Sequence, residues 1–89
     1  MKILFTKHAI EKLVAYEGGS IRISAEDLIQ TITKPDIVDT RSRMPEYIAQ
    51  KHLDTTHVLR VIYAVETERK EIRIITFYPG RKSKYEKKK

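Results

Sequence analysis

"ITKPDIVDT", residues 32–40, is where the periodicity of the chain changes. Before it, apolar residues recur at helical spacing. After it, they run in short β-branched and aromatic blocks. Pro35 marks the switch, because a residue that precedes proline, here Lys34, is pushed away from helical angles. The order that follows, helices and then strands, decides the fold class.

Working upstream, Ser24 with Asp27 three residues on predicts a helix N-terminus with a weak capping box. Leu28, Ile29 and Ile32 form its expected buried face. An earlier helix is predicted from a Thr6 cap to about Glu17, with Ala9, Ile10, Leu13 and Val14 as the apolar stripe. Lys7, His8, Glu11 and Lys12 fall on its other side, and "EGGS" (17–20) stops it. Downstream, "DIVDT" (36–40), "EYIAQKHL" (46–53), "HVLRVIYAVE" (57–66) and "EIRIITFYP" (71–79) read as strands. The joints "DTT" (54–56) and "TERK" (67–70) are short and polar, as antiparallel hairpins require. The expectation is an α+β domain: two N-terminal helices on one face of a four-stranded, mainly antiparallel sheet, with 57–66 and 71–79 central.

A chain of 89 residues, 40% apolar, makes one domain over 1–89 with a modest core. It has no cysteine, which excludes disulfides, thiolate metal sites and cysteine nucleophiles and accords with a reducing cytoplasm. "MKILFTKHA" holds three consecutive apolar residues, too few for a signal peptide or a membrane span, so the expected setting is soluble and cytoplasmic. The net charge of +6 is unevenly spread. Six of the 18 Lys and Arg, but one of the 12 acidic residues, lie from Arg81 onward, which leaves the body nearly neutral. Residues 82–89 read as a basic, flexible tail, and a clustered positive end suits a phosphate-bearing partner or an acidic protein surface.

Arg60 interrupts the apolar run "HVLRVIY" (57–63). On a central strand a guanidinium must reach a carboxylate, a phosphate or the rim of a groove. A cross-strand acid such as Glu46 or Glu71 is the alternative to a ligand. His52 and His57 flank a turn, but two imidazoles without a third ligand make a poor zinc site. The chain contains no phosphate-binding glycine loop and no paired carboxylate motif.

"FTKHAIEKL" (5–13), "ISAEDLIQTITKPD" (23–36), "YIAQK" (47–51), "LRVIYAVE" (59–66) and "IRIITFYPGRKSKYEK" (72–87) follow in an order that resembles a small prokaryotic family of uncharacterised domains. That family opens with a His-Ala pair on its first helix and is similar to the RelE/ParE toxin superfamily. This chain departs from it in the longer "YEGGSIRIS" (16–24). The resemblance implies a metal-independent endoribonuclease of a toxin–antitoxin type, needing no cofactor and restrained by an antitoxin protein. A non-catalytic RNA- or protein-binding module on the same fold, or a ParE-like inhibitor of a DNA-handling enzyme, is the alternative. Cleavage by RNA's own 2′-hydroxyl needs a base, cations for the phosphorane and an acid for the leaving oxygen. By the resemblance, His8, Arg60, Arg81 and Tyr85 carry that chemistry. Lys51, Tyr78, Lys82 and Lys84 are expected to contact RNA as cations and an aromatic ring, with no motif of their own. His8, Arg60 and Arg81 are then expected to meet in one groove.

Overall fold

The computed structural model describes residues 1–39 and 45–85. In chain order they form β1 (Lys2–Phe5), α1 (Lys7–Ala15), α2 (Ala25–Thr33), β2 (Ile37–Val38), β3 (Glu46–His52), β4 (His57–Glu66), β5 (Glu71–Arg81) and α3 (Lys82–Tyr85). The α+β class is as expected. The sheet, however, has five strands in the order β1-β5-β4-β3-β2, and it is mixed, because β1 runs parallel to β5. β1 escapes a sequence reading because it is four residues long and its partner lies at the far end of the chain. Thr6 secures that junction twice. Its hydroxyl donates to the Ile75 carbonyl at 3.0 Å and accepts the Ala9 N–H at 3.1 Å, capping α1.

Both N-terminal helices pack on one sheet face. Ala9, Ile23, Leu28 and Ile32 meet Leu59 and Val61 of β4 and Ile74 and Phe77 of β5. Ile74 and Phe77 are three positions apart, yet both face the helices. A β-bulge accommodates this: Ile62 pairs with Thr76 and Tyr63 with Ile74, leaving Ile75 as the extra residue. Ser24 and Asp27 form a full reciprocal capping box, with Ser24 Oγ accepting the Asp27 N–H at 3.2 Å and Asp27 Oδ2 accepting the Ser24 N–H at 2.9 Å.

The buried stripe of α1 is rotated from the expected one. Ala9, Leu13 and Tyr16 line the core, while Ile10 and Val14 are 52% and 61% exposed. Lys12, expected on the solvent side, instead lays its stem across the core edge, with Nζ 5.4 Å from the Phe77 ring centroid. The strand expected over 36–40 is ordered as β2 only at Ile37–Val38, and Thr40 lies outside the described residues. Residues 82–85 of the basic tail form α3, and 86–89 lie outside the described residues. Among the described residues no helix is long and apolar enough to cross a membrane.

Candidate nucleic-acid interface

The strand register fixes what surrounds Arg60. In β4 it lies opposite Gln50 of β3 and Tyr78 of β5, on the sheet face away from α1 and α2. Only 4% exposed, it makes a hydrogen bond through each of its three nitrogens. Nη1 donates to Gln50 Oε1, Nη2 to Asp39 Oδ2 at 2.7 Å, and Nε to the Tyr78 hydroxyl at 3.0 Å. The Tyr85 ring covers it, with its centroid 4.3 Å from Cζ. Burial works against the guanidinium's charge, but Asp39 and Tyr78 outweigh it and hold the group above its ordinary value.

The acid is therefore Asp39, and neither Glu46 nor Glu71 is in register to serve. Glu46 stands opposite Ala64 and Glu71 opposite Glu66, at the other end of the sheet. Gln50, 2% exposed, must turn its carbonyl oxygen to the guanidinium, because its amide cannot accept from a donor. Its Nε2 is left buried with no hydrogen-bond acceptor among the described residues. Such a donor carries a desolvation cost of roughly 1–3 kcal/mol.

Tyr85 reaches Arg60 because Gly80 gives it room. A Cβ at position 80 would stand 2.4 Å from Tyr85 Cε2. Lys84 Nζ lies 5.4 Å from the same ring. The Tyr85 phenol is held below its ordinary value, most strongly by Tyr78, with the Lys84 and Arg60 charges adding to that against the effect of burial. Tyr78 and Tyr85 sit 6.4 Å apart, centroid to centroid, in a tilted pair. A cleft of about 280 Å³ opens beside this cluster, lined by Ile37, Val38, Asp39, Gln50, Arg60, Lys84 and Tyr85.

A second cleft, about 420 Å³, lies at the β3–β4 turn and is lined by Thr55, Thr56, His57, Arg81, Lys82 and Ser83. His57 pairs with Arg81 across β4 and β5. This pair is three positions along β4 from the Arg60–Tyr78 pair, so Arg60 and Arg81 point to opposite faces of the sheet. Asp54 organises the turn. Its Oδ1 accepts the backbone N–H of Thr56 at 2.9 Å and of His57 at 2.7 Å, and stands 3.0 Å from His57 Nδ1. The Thr56 N–H bond comes first, and the contacts with His57 add to it, in lowering the Asp54 carboxyl to about 2. The turn signature "DTTH" (54–57), an acid with an imidazole three residues on, carried this signal in the sequence. Weighing His57 only as a zinc ligand misses it.

The sites expected from the sequence thus divide. Arg60, Tyr78, Lys84 and Tyr85 form one cluster, and Arg81 and Lys82 belong to the other cleft. His8 stands apart from both on α1, with Nε2 3.2 Å from the Thr76 hydroxyl, which also accepts from Lys12 Nζ at 3.4 Å. Thr76 pairs with Ile62, so the contact is made along β5, while α1 itself lies on the sheet face opposite Arg60 and His8 does not join the Arg60 cluster. Lys51 ties β3 to the end of α2, donating to the Lys34 carbonyl at 2.9 Å with Asp36 at 3.9 Å. Comparison with protein-family models, with curated proteins and with solved structures returns no match for the chain.

Proposed function

We propose that this chain is an RNA-directed domain of the RelE-like kind, binding a single strand across α3 and cleaving it without metal, with an antitoxin as its protein partner and the cytoplasm as its setting. The observation that carries this reading is the placement of α3. Lys84 and Tyr85 line one cleft, where Tyr85 lies over Arg60, and Lys82 lines the other beside Arg81. Single-stranded RNA asks for cations along its backbone and aromatic faces for its bases, and one turn of helix offers both. Two helices against one face of a sheet that is antiparallel apart from β1 suit the resemblance. Arg81 meets a backbone phosphate, and Arg60 positions Tyr78 and Tyr85. The proton-transfer role that the resemblance gives His8 requires the strand to carry its scissile phosphate to α1, away from both clefts.

The ion pair of Arg60 with Asp39 favours a second reading, in which the same surface recognises RNA without cutting it. A guanidinium neutralised by a carboxylate and closed off by a ring has little left for a phosphorane. Incubation of labelled mixed RNA with the protein in excess chelator separates the two. Chelator-resistant cleavage that is lost in His8→Ala and Arg81→Gln supports the ribonuclease. Binding without cleavage, weakened by Tyr85→Ala, supports the recognition module. Binding should fall with salt at a log–log slope of roughly −0.7 per neutralised phosphate. An RNA affinity untouched by both Tyr85→Ala and Arg81→Gln refutes the surface altogether.

A further inference from the structure

We propose that the cleft at the β3–β4 turn is a phosphate-binding site, built by His57, Arg81, Lys82 and Ser83 and separate from the Arg60 cluster. The ring of His57 is held from one edge. Asp54 stands 3.0 and 3.2 Å from Nδ1 through its two carboxylate oxygens, while the backbone N–H groups of Thr56 and His57 hold Asp54 itself in place. The imidazole is therefore oriented from within the turn, by groups that lie no more than three residues from it. Its Nε2, on the ring edge away from Asp54, is left for the cleft that His57 lines.

The opposite wall comes from the end of β5 and the start of α3. Strand pairing sets Arg81 across from His57, and the Lys82 N–H donates to the Thr56 carbonyl at 2.9 Å, joining the two walls. Asp54 is spent on the turn and does not line the cleft, and no other acid among the described residues does. Neither Arg81 nor Lys82 has an acidic partner among the described residues, in contrast to Arg60 and Arg73, which are paired with Asp39 and Glu66. Two cations with no acidic partner among the described residues and an oriented imidazole thus line one space from two sides, with Thr55 and Ser83 beside them. The Thr56 hydroxyl turns instead to His57 Nδ1 at 2.9 Å and Asp54 Oδ1 at 3.2 Å.

That arrangement suits a tetrahedral anion with acceptors on every side. A planar carboxylate would saturate on the Arg81 fork alone and leave the imidazole wall unused. The shared chemistry is a phosphate group, offered either by the end of a phosphorylated strand or nucleotide, or by an internal backbone phosphate. The inference does not depend on the RNA reading, because inorganic phosphate suffices to test it.

The experiment follows the His57 ring and the Arg81 and Lys82 amide signals by NMR in the full chain. Sodium phosphate is titrated against sodium chloride at matched ionic strength and constant neutral pH. A saturable shift confined to these residues is expected, weakened about tenfold or more in Arg81→Gln, which loses a charge-assisted fork. Asp54→Asn keeps a side-chain acceptor for the turn but loses the carboxylate behind the ring, and should weaken binding less than Arg81→Gln. Oligonucleotides with and without a 5′-phosphate then identify the source. A preference for the phosphorylated end assigns a terminal monoester, and equal binding at the same residues assigns an internal phosphate. No saturable shift at His57, or the same shift in Arg81→Gln, overturns the site.

Discussion

Gly80→Ala is expected to destabilise the protein, although strand propensity alone argues the reverse. Gly80 lies within β5, where replacing glycine by alanine should favour the folded state by about 0.4–1 kcal/mol through the unfolded chain. Against this stands the position of the new methyl, 2.4 Å from Tyr85 Cε2 and 2.7 Å from Cδ2. The ring must leave. It gives up its place over the largely desolvated Arg60 guanidinium, worth up to about 2 kcal/mol. Its tilted contact with Tyr78 adds about 0.5–1.5 kcal/mol. The net is a loss of roughly 1–2 kcal/mol, which for a domain of this size lowers Tm by about 4–16 °C. The cost cannot exceed what Tyr85 itself contributes, because the ring can swing into solvent. Urea unfolding of Gly80→Ala, Tyr85→Ala and the double variant tests this bound. In the Tyr85→Ala background the glycine substitution should turn neutral or stabilising. An equal cost of Gly80→Ala in both backgrounds would refute the packing of α3 on the sheet.

Arg60→Met should cost about 3–5 kcal/mol in urea unfolding, because it breaks a largely buried ion pair by removing one member, and Arg60→Met with Asp39→Leu should recover most of that. Ser24→Ala should cost about 1 kcal/mol and fray the first turn of α2, seen as faster amide exchange at Asp27; unchanged exchange there would argue against the capping box. Asp54, lowered to about 2 from 3.8, binds fewer protons folded than unfolded. Its contribution is therefore complete above 3.8 and is lost as the pH falls through about 2. Amide signals of Thr56 and His57 should report that transition and lose it in Asp54→Asn; a midpoint at 3.8 would show that the turn does not hold the carboxylate.

What the sequence disclosed was mostly what is local. Thr6, Ser24 with Asp27, and Pro35 act within a few residues of themselves, and each marks the helix boundary expected of it. Strands β3, β4 and β5 start where their apolar blocks start. What stayed hidden depends on partners far along the chain. "KILF" becomes a strand only beside Glu71–Ile74. The face of α1 is chosen by where the sheet edge lies, so Ile10 and Val14 turn outward although helical spacing allows them inward. The cluster of Arg60, Tyr78 and Tyr85 was legible as residue types, since an arginine in an apolar strand had to be compensated. That Asp39 compensates it follows from register, which periodicity does not supply.

The parallel pairing of β1 with β5 sets an order of assembly. Thr6 meets Ile75 across 69 residues, and Met1–Phe5 leave a ribosome long before β5 exists. Closing so long a loop costs entropy that only the finished pair returns, so β1 should dock late, onto hairpins already formed. Until then the outer edge of β5 is an open template for another strand. Pairing between nascent chains at that open edge is therefore a route to loss that the stability of the finished domain does not close.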